Sequence, residues 1–179
     1  ADANLRLLRK AFDVKITAVT RTGSSSHTHL VDKLVNIEDI KPSAKRADFV
    51  ILALPLTTES EDLVDEGFLS WMKPSSLLVN ISRGPIVVES ALYEALENKQ
   101  IAGAAIDVWW EYPKKWGGSG KLPSEDYPFH KLDNVVISPH RAAYSEHIMK
   151  DQVQFVGENL LRFIKGESPE NIVDMKLGY

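Results

Sequence analysis

Three side chains of different chemistry each follow a short apolar run. Arg83 lies in the turn Ser82-Arg83-Gly84-Pro85 after Leu77-Leu78-Val79-Asn80-Ile81, Asp107 follows Gly103-Ala104-Ala105-Ile106, and His140 follows Val135-Val136-Ile137-Ser138-Pro139. A guanidinium offers a planar fork of donors that grips a carboxylate in two places. A carboxylate orients donor groups, and an imidazole moves protons near neutral pH. Gly84 would let the backbone turn sharply and approach a ligand. Each residue taken singly has a plain alternative: a surface arginine at a strand exit, a cap after a strand, a satisfied histidine. Their common position at the ends of apolar runs is what points to a site.

The elements that must position them alternate between two periodicities. Residues 3–12 carry Leu5, Leu8, Arg9 and Phe12 at helical spacing, and residues 14–19 alternate as a strand that ends at Thr20-Arg21-Thr22-Gly23. Residues 37–45 read as a short helix. The run from Asp48 to Leu54, stopped by Pro55, has the unbroken apolar character of a strand buried on both faces. A short helix over 66–72, the strand 76–80, a helix over 88–98 with Leu92, Ala95 and Leu96 on one face, and a strand over 101–108 follow. Gly103-Ala104-Ala105 suits close packing of neighbouring backbone. After an irregular segment from 109 to 132 come a last strand over 135–138 and a long amphipathic helix over 145–165. That helix would turn Ile148, Phe155, Val156, Leu160 and Phe163 inward and close at Gly166. The tail holds one extended run, Asn171-Ile172-Val173-Asp174.

Strands alternating with helices predict right-handed crossovers and an α/β fold with a doubly wound parallel sheet. In such a sheet the C-terminal strand ends face one crevice. Five would converge there: Thr20-Arg21, Pro55-Leu56-Thr57, Ser82-Arg83, Asp107 and His140.

Composition bounds the function. The chain of 179 residues is 44% hydrophobic and 26% charged, enough for one proper core. A net charge of −4 and a pI near 5.7 give no electrostatic reason to expect nucleic acid or an anionic membrane. With no cysteine there is neither a disulfide framework nor thiolate chemistry. No run approaches the roughly 18 apolar residues of a spanning helix, and nothing reads as a signal peptide, so the expectation is a soluble cytoplasmic protein.

The ordered motifs Asp48 to Thr57, Met72-Lys73-Pro74, Val79-Asn80-Ile81-Ser82-Arg83-Gly84, Gly103-Ala104-Ala105-Ile106-Asp107-Val108 and Asp133-Asn134-Val135-Val136-Ile137-Ser138-Pro139-His140 resemble the D-isomer-specific 2-hydroxyacid dehydrogenases over residues 5–165. The resemblance implies an NAD(P)-dependent oxidoreductase that moves a hydride between the cofactor and a small 2-keto or 2-hydroxy acid. It implies that Arg83 binds the substrate carboxylate and polarises the carbonyl, and that His140 exchanges the proton. Asp107 would orient the nicotinamide carboxamide. Leu54, Pro55, Thr57, Ile81 and Ser82 would line the cofactor cleft with Arg83, His140 and Ala142, and Thr20 and Arg21 would face the ribose. A homodimer is implied as well.

Two departures stand out. The family's third catalytic residue is a Glu just before a Pro, which holds the histidine by opposing charge; here that position is Tyr112, and Glu111 lies one residue earlier. Either the loop is rebuilt so that Glu111 reaches His140, or the histidine lacks a carboxylate, as in the formate dehydrogenases of this superfamily, which use an amide. The family's glycine-rich turn and the strand feeding it would lie before Asn4. The resemblance thus implies an N-terminally incomplete nucleotide-binding domain over 1–144 and a helix and tail over 145–179 returning toward a substrate domain, in a chain that binds cofactor weakly and turns over nothing alone.

Thr20-Arg21-Thr22 carries no acid where NAD-specific members place one, which leans the cofactor toward NADP; the alternative is an arginine stacked on adenine in an NAD enzyme. Trp109, Trp110, Tyr112, Trp116 and Tyr127 would add aromatic surface as a pocket wall or a subunit contact. A competing reading is a non-catalytic dinucleotide-sensing module of the corepressor kind, which Tyr112 favours and the presence of Arg83 and His140 opposes. A different Rossmann enzyme, such as a methyltransferase, would give no reason for Arg83, Asp107 and His140 at successive strand edges.

Overall fold

The computed structural model describes residues 2–25, 28–112, 126–144 and 148–175. Helix α1 (Asp2–Ala11) leads to β1 (Thr17–Thr20), and β2 (Lys33–Asn36) pairs beside it in parallel, Thr17 opposite Lys33 and Thr20 opposite Asn36. Arg9 joins α1 to this unit through Asp32 at 2.8 Å and the Leu30 carbonyl at 3.2 Å. Strand β2 has no counterpart among the elements expected from the sequence. Its four residues, Lys-Leu-Val-Asn, are too few and too mixed in polarity to announce a strand, and pairing with β1 makes it one. The expected helix over 37–45 is a 3₁₀ turn, Ile37–Asp39, running into α2 (Ile40–Ala44).

The larger sheet is wholly parallel in the order β3 (Phe49–Leu52), β4 (Leu77–Asn80), β5 (Gly103–Ile106), β6 (Val135–Ile137). Helix α3 (Glu66–Trp71) crosses from β3 to β4, and α4 (Glu89–Glu97) from β4 to β5. Asp65 caps α3 by accepting the Phe68 N–H at 2.7 Å, which satisfies one of the donors that a helix start leaves open. Leu92, Ala95 and Leu96 of α4 are buried, as their spacing predicts, and pack with Leu69, Leu78, Ile86, Ile101, Ile106 and Phe129. The buried Ser76 hydroxyl donates to the Ala47 carbonyl at 2.7 Å and accepts the Lys73 N–H at 3.1 Å, fixing where β4 starts beside β3. A Cβ on Gly103 would lie 2.5 Å from the Asn134 carbonyl oxygen, so the glycine does serve close backbone packing.

Three expectations about burial are corrected. Strand β3 is not covered on both faces: it ends the four-stranded ladder, and Phe49 is 61% exposed on the face opposite Leu52. Helix α5 (Ile148–Ile164) forms and closes at Gly166, whose φ of +75° suits glycine and whose N–H meets the Phe163 carbonyl at 3.0 Å. Yet no residue of α5 is buried, and Phe155, Val156, Leu160 and Phe163 lie open because no described part of the chain covers that stripe. Of the aromatic segment's described residues, conversely, Trp109, Trp110 and Tyr127 turn inward, while Tyr112 stays 46% exposed. Trp109 is 2% exposed, Trp110 stacks on the buried Phe129 at 5.6 Å with planes 7° apart, and Tyr127 packs on Tyr93 at 5.7 Å. These residues complete this chain's own core instead of adding aromatic surface; Trp116 lies outside the described residues. The run 171–174 joins no ladder among the described residues.

Candidate active site

Register brings the strand ends together. Leu52 pairs with Asn80, Asn80 with Ile106, and Ile106 with Ile137, so the segments carrying residues 53–56, Arg83, Asp107 and His140 leave the sheet side by side. The fifth expected end, Thr20-Arg21, belongs to the separate β1–β2 ladder. Arg21 nevertheless reaches Glu59, in the turn after β3, at 3.9 Å. Thr20, Thr22 and Ser24 gather hydroxyls beside it, with Thr22 and Ser24 2.6 Å apart.

Buried polar groups build the turn after β4. Asn80 donates from Nδ2 to the Arg83 carbonyl at 3.0 Å and accepts the Ser82 N–H at 3.1 Å on Oδ1. The Ser82 hydroxyl accepts the Leu54 N–H at 2.9 Å, tying this turn to the one after β3. Arg83 is exposed, with Nη1 donating to the Ser82 carbonyl at 2.6 Å. Asn80 was not among the residues expected to matter; an Asn at a strand exit, able to bond backbone two and three residues on, is the signal that would have found it. Gly84 departs from expectation in its reason. It does not have a left-handed backbone, and a Cβ there would lie 2.3 Å from the Trp109 carbonyl carbon. Glycine is needed because the chain leaving β5 crosses directly over it.

Residues 53–56 and 81–83 wall an open cleft of about 510 Å³. Leu54, Pro55, Ile81, Ser82 and Arg83 therefore come together as expected. Thr57 lies just beyond, its N–H on the buried Ser60 hydroxyl at 2.8 Å; Ser60 also donates to the Pro55 carbonyl at 2.8 Å, which shapes the cleft's rim.

At the ends of β5 and β6 a carboxylate holds a loop. Asp107, 6% exposed, accepts the Arg141 N–H at 2.7 Å and the Ala142 N–H at 3.0 Å. Burial pushes its carboxyl up, but hydrogen bonds from Ser138, Ala142 and Arg141, with the nearby His140, outweigh this and leave it below the ordinary carboxylate range. The N–H of Ala142 is thus engaged within the chain. His140 is exposed and adopts a left-handed backbone with φ of +57°, uncommon for a residue with a Cβ and maintained here by the Asp107 clasp. Glu111 makes no hydrogen bond or ion pair to His140 among the described residues. The group that meets the imidazole is Tyr112, ring centroids 5.5 Å apart, because its hydroxyl folds back to accept the Trp109 N–H at 3.0 Å.

Residues 3–142 match the family model described as the NAD binding domain of D-isomer specific 2-hydroxyacid dehydrogenase. The chain belongs to this family. It is 40% identical over 133 residues to the glyoxylate reductase of Korarchaeum cryptofilum, covering 74% of this chain and 37% of that protein. To the glyoxylate reductase of Pyrococcus horikoshii it is 34% identical over 170 residues, covering 94% and 47%. The chain spans about half the length of such curated relatives, or less. Among solved structures, a D-isomer specific 2-hydroxyacid dehydrogenase from Xanthobacter autotrophicus Py2 with NADPH and MES superposes with a TM-score of 0.79 at 30% identity, covering 99% of this chain and 67% of that one. The NAD-complexed enzyme from Lactobacillus delbrueckii superposes at 0.80, also at 30% identity, covering 97% and 54%.

The 2-hydroxyacid dehydrogenase fold here is a Rossmann-like parallel sheet with helices in its crossovers. Its residues suit a dinucleotide. The cleft has apolar walls in Leu54, Pro55 and Ile81 and a cation in Arg83, and hydroxyls gather with Arg21 at the end of β1. Arg83 after β4 and His140 after β6, groups suited to anion binding and proton transfer, flank the end of β5 that carries Asp107. Among the described residues no cluster of side chains fit to hold a metal ion occurs.

Proposed function

We propose that the complete protein carrying this chain transfers a hydride between NAD(P)H and a small 2-keto acid, forming the D-2-hydroxy acid, or runs the reverse oxidation. The observation that carries the reading is the in-register delivery of Arg83, Asp107 and His140 to neighbouring strand ends. Arg83 takes the substrate carboxylate with its paired donors and sets the carbonyl for attack. The nicotinamide cofactor, when bound, supplies the hydride. His140 donates its proton to the carbonyl oxygen as the C2–H bond forms, so a hydroxyl results and the imidazole is left neutral. Asp107 keeps the backbone beyond His140 in place.

The names of the relatives favour glyoxylate or a similar small keto acid as substrate. We assign NADP as the preferred cofactor, since Arg21 and the hydroxyls of Thr20 and Thr22 suit a 2′-phosphate and no acidic residue follows β1 directly. Residues 1–144 act as the nucleotide-binding unit and 145–179 lead toward the substrate domain of a cytoplasmic homodimer. No helix of the described chain is long and apolar enough to cross a membrane. The non-catalytic sensing reading finds no support in the comparisons.

The test is reduction of glyoxylate and other 2-keto acids by the complete protein, with NADPH and NADH compared. His140→Ala is expected to lower kcat by about 10²–10⁴-fold, and Arg83→Ala to raise KM as well. Wild-type rates in both variants would overturn the proposal; tighter binding of NADH than NADPH would overturn the cofactor assignment alone.

A further inference from the structure

The imidazole of His140 must be aimed as well as present. Its backbone is restrained on both sides. After it, Asp107 takes the N–H groups of Arg141 and Ala142; before it, the Ser138 carbonyl accepts Nε1–H of Trp109 at 3.1 Å and the Ser138 N–H donates to Ile106 at 2.9 Å. None of these bonds touches the ring. An exposed imidazole on a fixed backbone still rotates about its side-chain bonds, so something else must select its orientation.

Tyr112 has the geometry to do so. Its ring lies 5.5 Å from that of His140 with planes 44° apart, within the range of favourable aromatic pairs. The tyrosine is itself anchored at its far end, where Oη accepts the Trp109 N–H, and Trp109 is sealed in the core. The ring is thereby a strut between the end of β5 and the imidazole. It also differs in kind from a carboxylate strut. A carboxylate would accept a hydrogen bond from an imidazole nitrogen. A phenol ring meets the imidazole by ring contact and takes neither of its nitrogens as a hydrogen-bond partner.

We propose that Tyr112 is the positioning residue of His140, orienting the imidazole by ring contact through its hydroxyl anchor on the Trp109 N–H. The role in turnover rests on the hydride-transfer reading; the contact does not.

The contact is tested by NMR on the 179-residue chain without substrate or cofactor. A cross-peak between the Tyr112 and His140 ring protons is expected. In Tyr112→Leu the His140 ring signals should shift as the aromatic ring current is lost, while those of His130 stay in place. Tyr112→Phe keeps the ring but loses the hydroxyl anchor, and its His140 signals should lie between those of the wild type and of Tyr112→Leu. No cross-peak, or an unmoved His140 spectrum in Tyr112→Leu, overturns the proposal, and the wild-type cross-peak decides if the leucine variant does not fold. In the complete enzyme Tyr112→Leu should lower kcat roughly 10- to 100-fold, the scale expected of a misplaced catalytic group, with KM little changed, and Tyr112→Phe, which keeps the ring but not its anchor, should recover only part of it. Unchanged kcat in Tyr112→Leu overturns the positioning role. A wild-type enzyme that reduces no keto acid but keeps the cross-peak counts against the hydride-transfer reading and leaves the ring contact standing.

Discussion

Asp107 shows how a single carboxylate can be spent on architecture beside a site. Both of its oxygens receive backbone N–H groups from the loop after β6, and that loop holds His140 in a left-handed conformation. The site therefore depends on Asp107 staying charged. Its pKa is lowered in the folded protein despite burial, because Ser138, Ala142 and Arg141 all hydrogen-bond to the carboxylate and His140 lies near. A carboxyl depressed on folding adds stability that is fully present above its unfolded value and is lost as pH falls from there through the lower folded value. Asp107→Asn is accordingly expected to lower the unfolding free energy at neutral pH by about 1–3 kcal/mol, the cost of leaving a buried hydrogen-bonding group unmet. The variant should also show a shallower loss of stability below about pH 4, near the unperturbed carboxyl value. Urea unfolding across a pH series checks both; parallel curves for the two proteins would count against this account.

Among the elements, the crossing of the β4 and β5 exits decides the site's shape. Gly84 opens a 3₁₀ turn, Gly84–Ile86, against the Trp109-Trp110 backbone, and the indole Nε1–H of Trp110 donates to the Val87 carbonyl at 2.6 Å. The two exits are thus packed as one unit under Arg83. A methyl group at position 84 has only backbone to push against, which cannot yield as a flexible side chain would. Gly84→Ala should destabilise the chain by about 1–3 kcal/mol through overpacking and displace Arg83, read as a lower urea midpoint and a weakened response to a 2-keto acid.

Over the whole molecule, burial is uneven. Helix α4 lies inside the fold, whereas α5 and the tail present an apolar surface to solvent. Leu96 is 1% exposed and Phe163 72% exposed. Leu96→Ala should cost about 2–5 kcal/mol, from lost burial plus the cavity left behind, while Phe163→Ser should stay within about 0.5 kcal/mol, as exposed positions do. The chain by itself should bind a hydrophobic fluorescent dye while folded, and the double variant Val153→Glu/Phe163→Glu should bind less of it; equal fluorescence would show that the dye sits elsewhere.

Periodicity and strand-exit chemistry were legible without coordinates. The alternation of apolar runs with helical spacing required a parallel α/β sheet. The same pattern placed Leu92, Ala95 and Leu96 inside and brought Leu54, Pro55, Ile81, Ser82 and Arg83 to one cleft, because these follow from local repeats and the handedness of crossovers. Tertiary structure alone decided the rest. Strand β2 exists because β1 offers it a partner. The face of α5 stays open because apolar spacing says which residues want cover, not whether cover is present. The choice between Glu111 and Tyr112 fell to the tyrosine through a hydrogen bond to Trp109, three residues away in sequence but fixed by the fold. Neighbouring loop residues point in directions that no spacing rule assigns, and only the packed core beneath them settles which one faces His140.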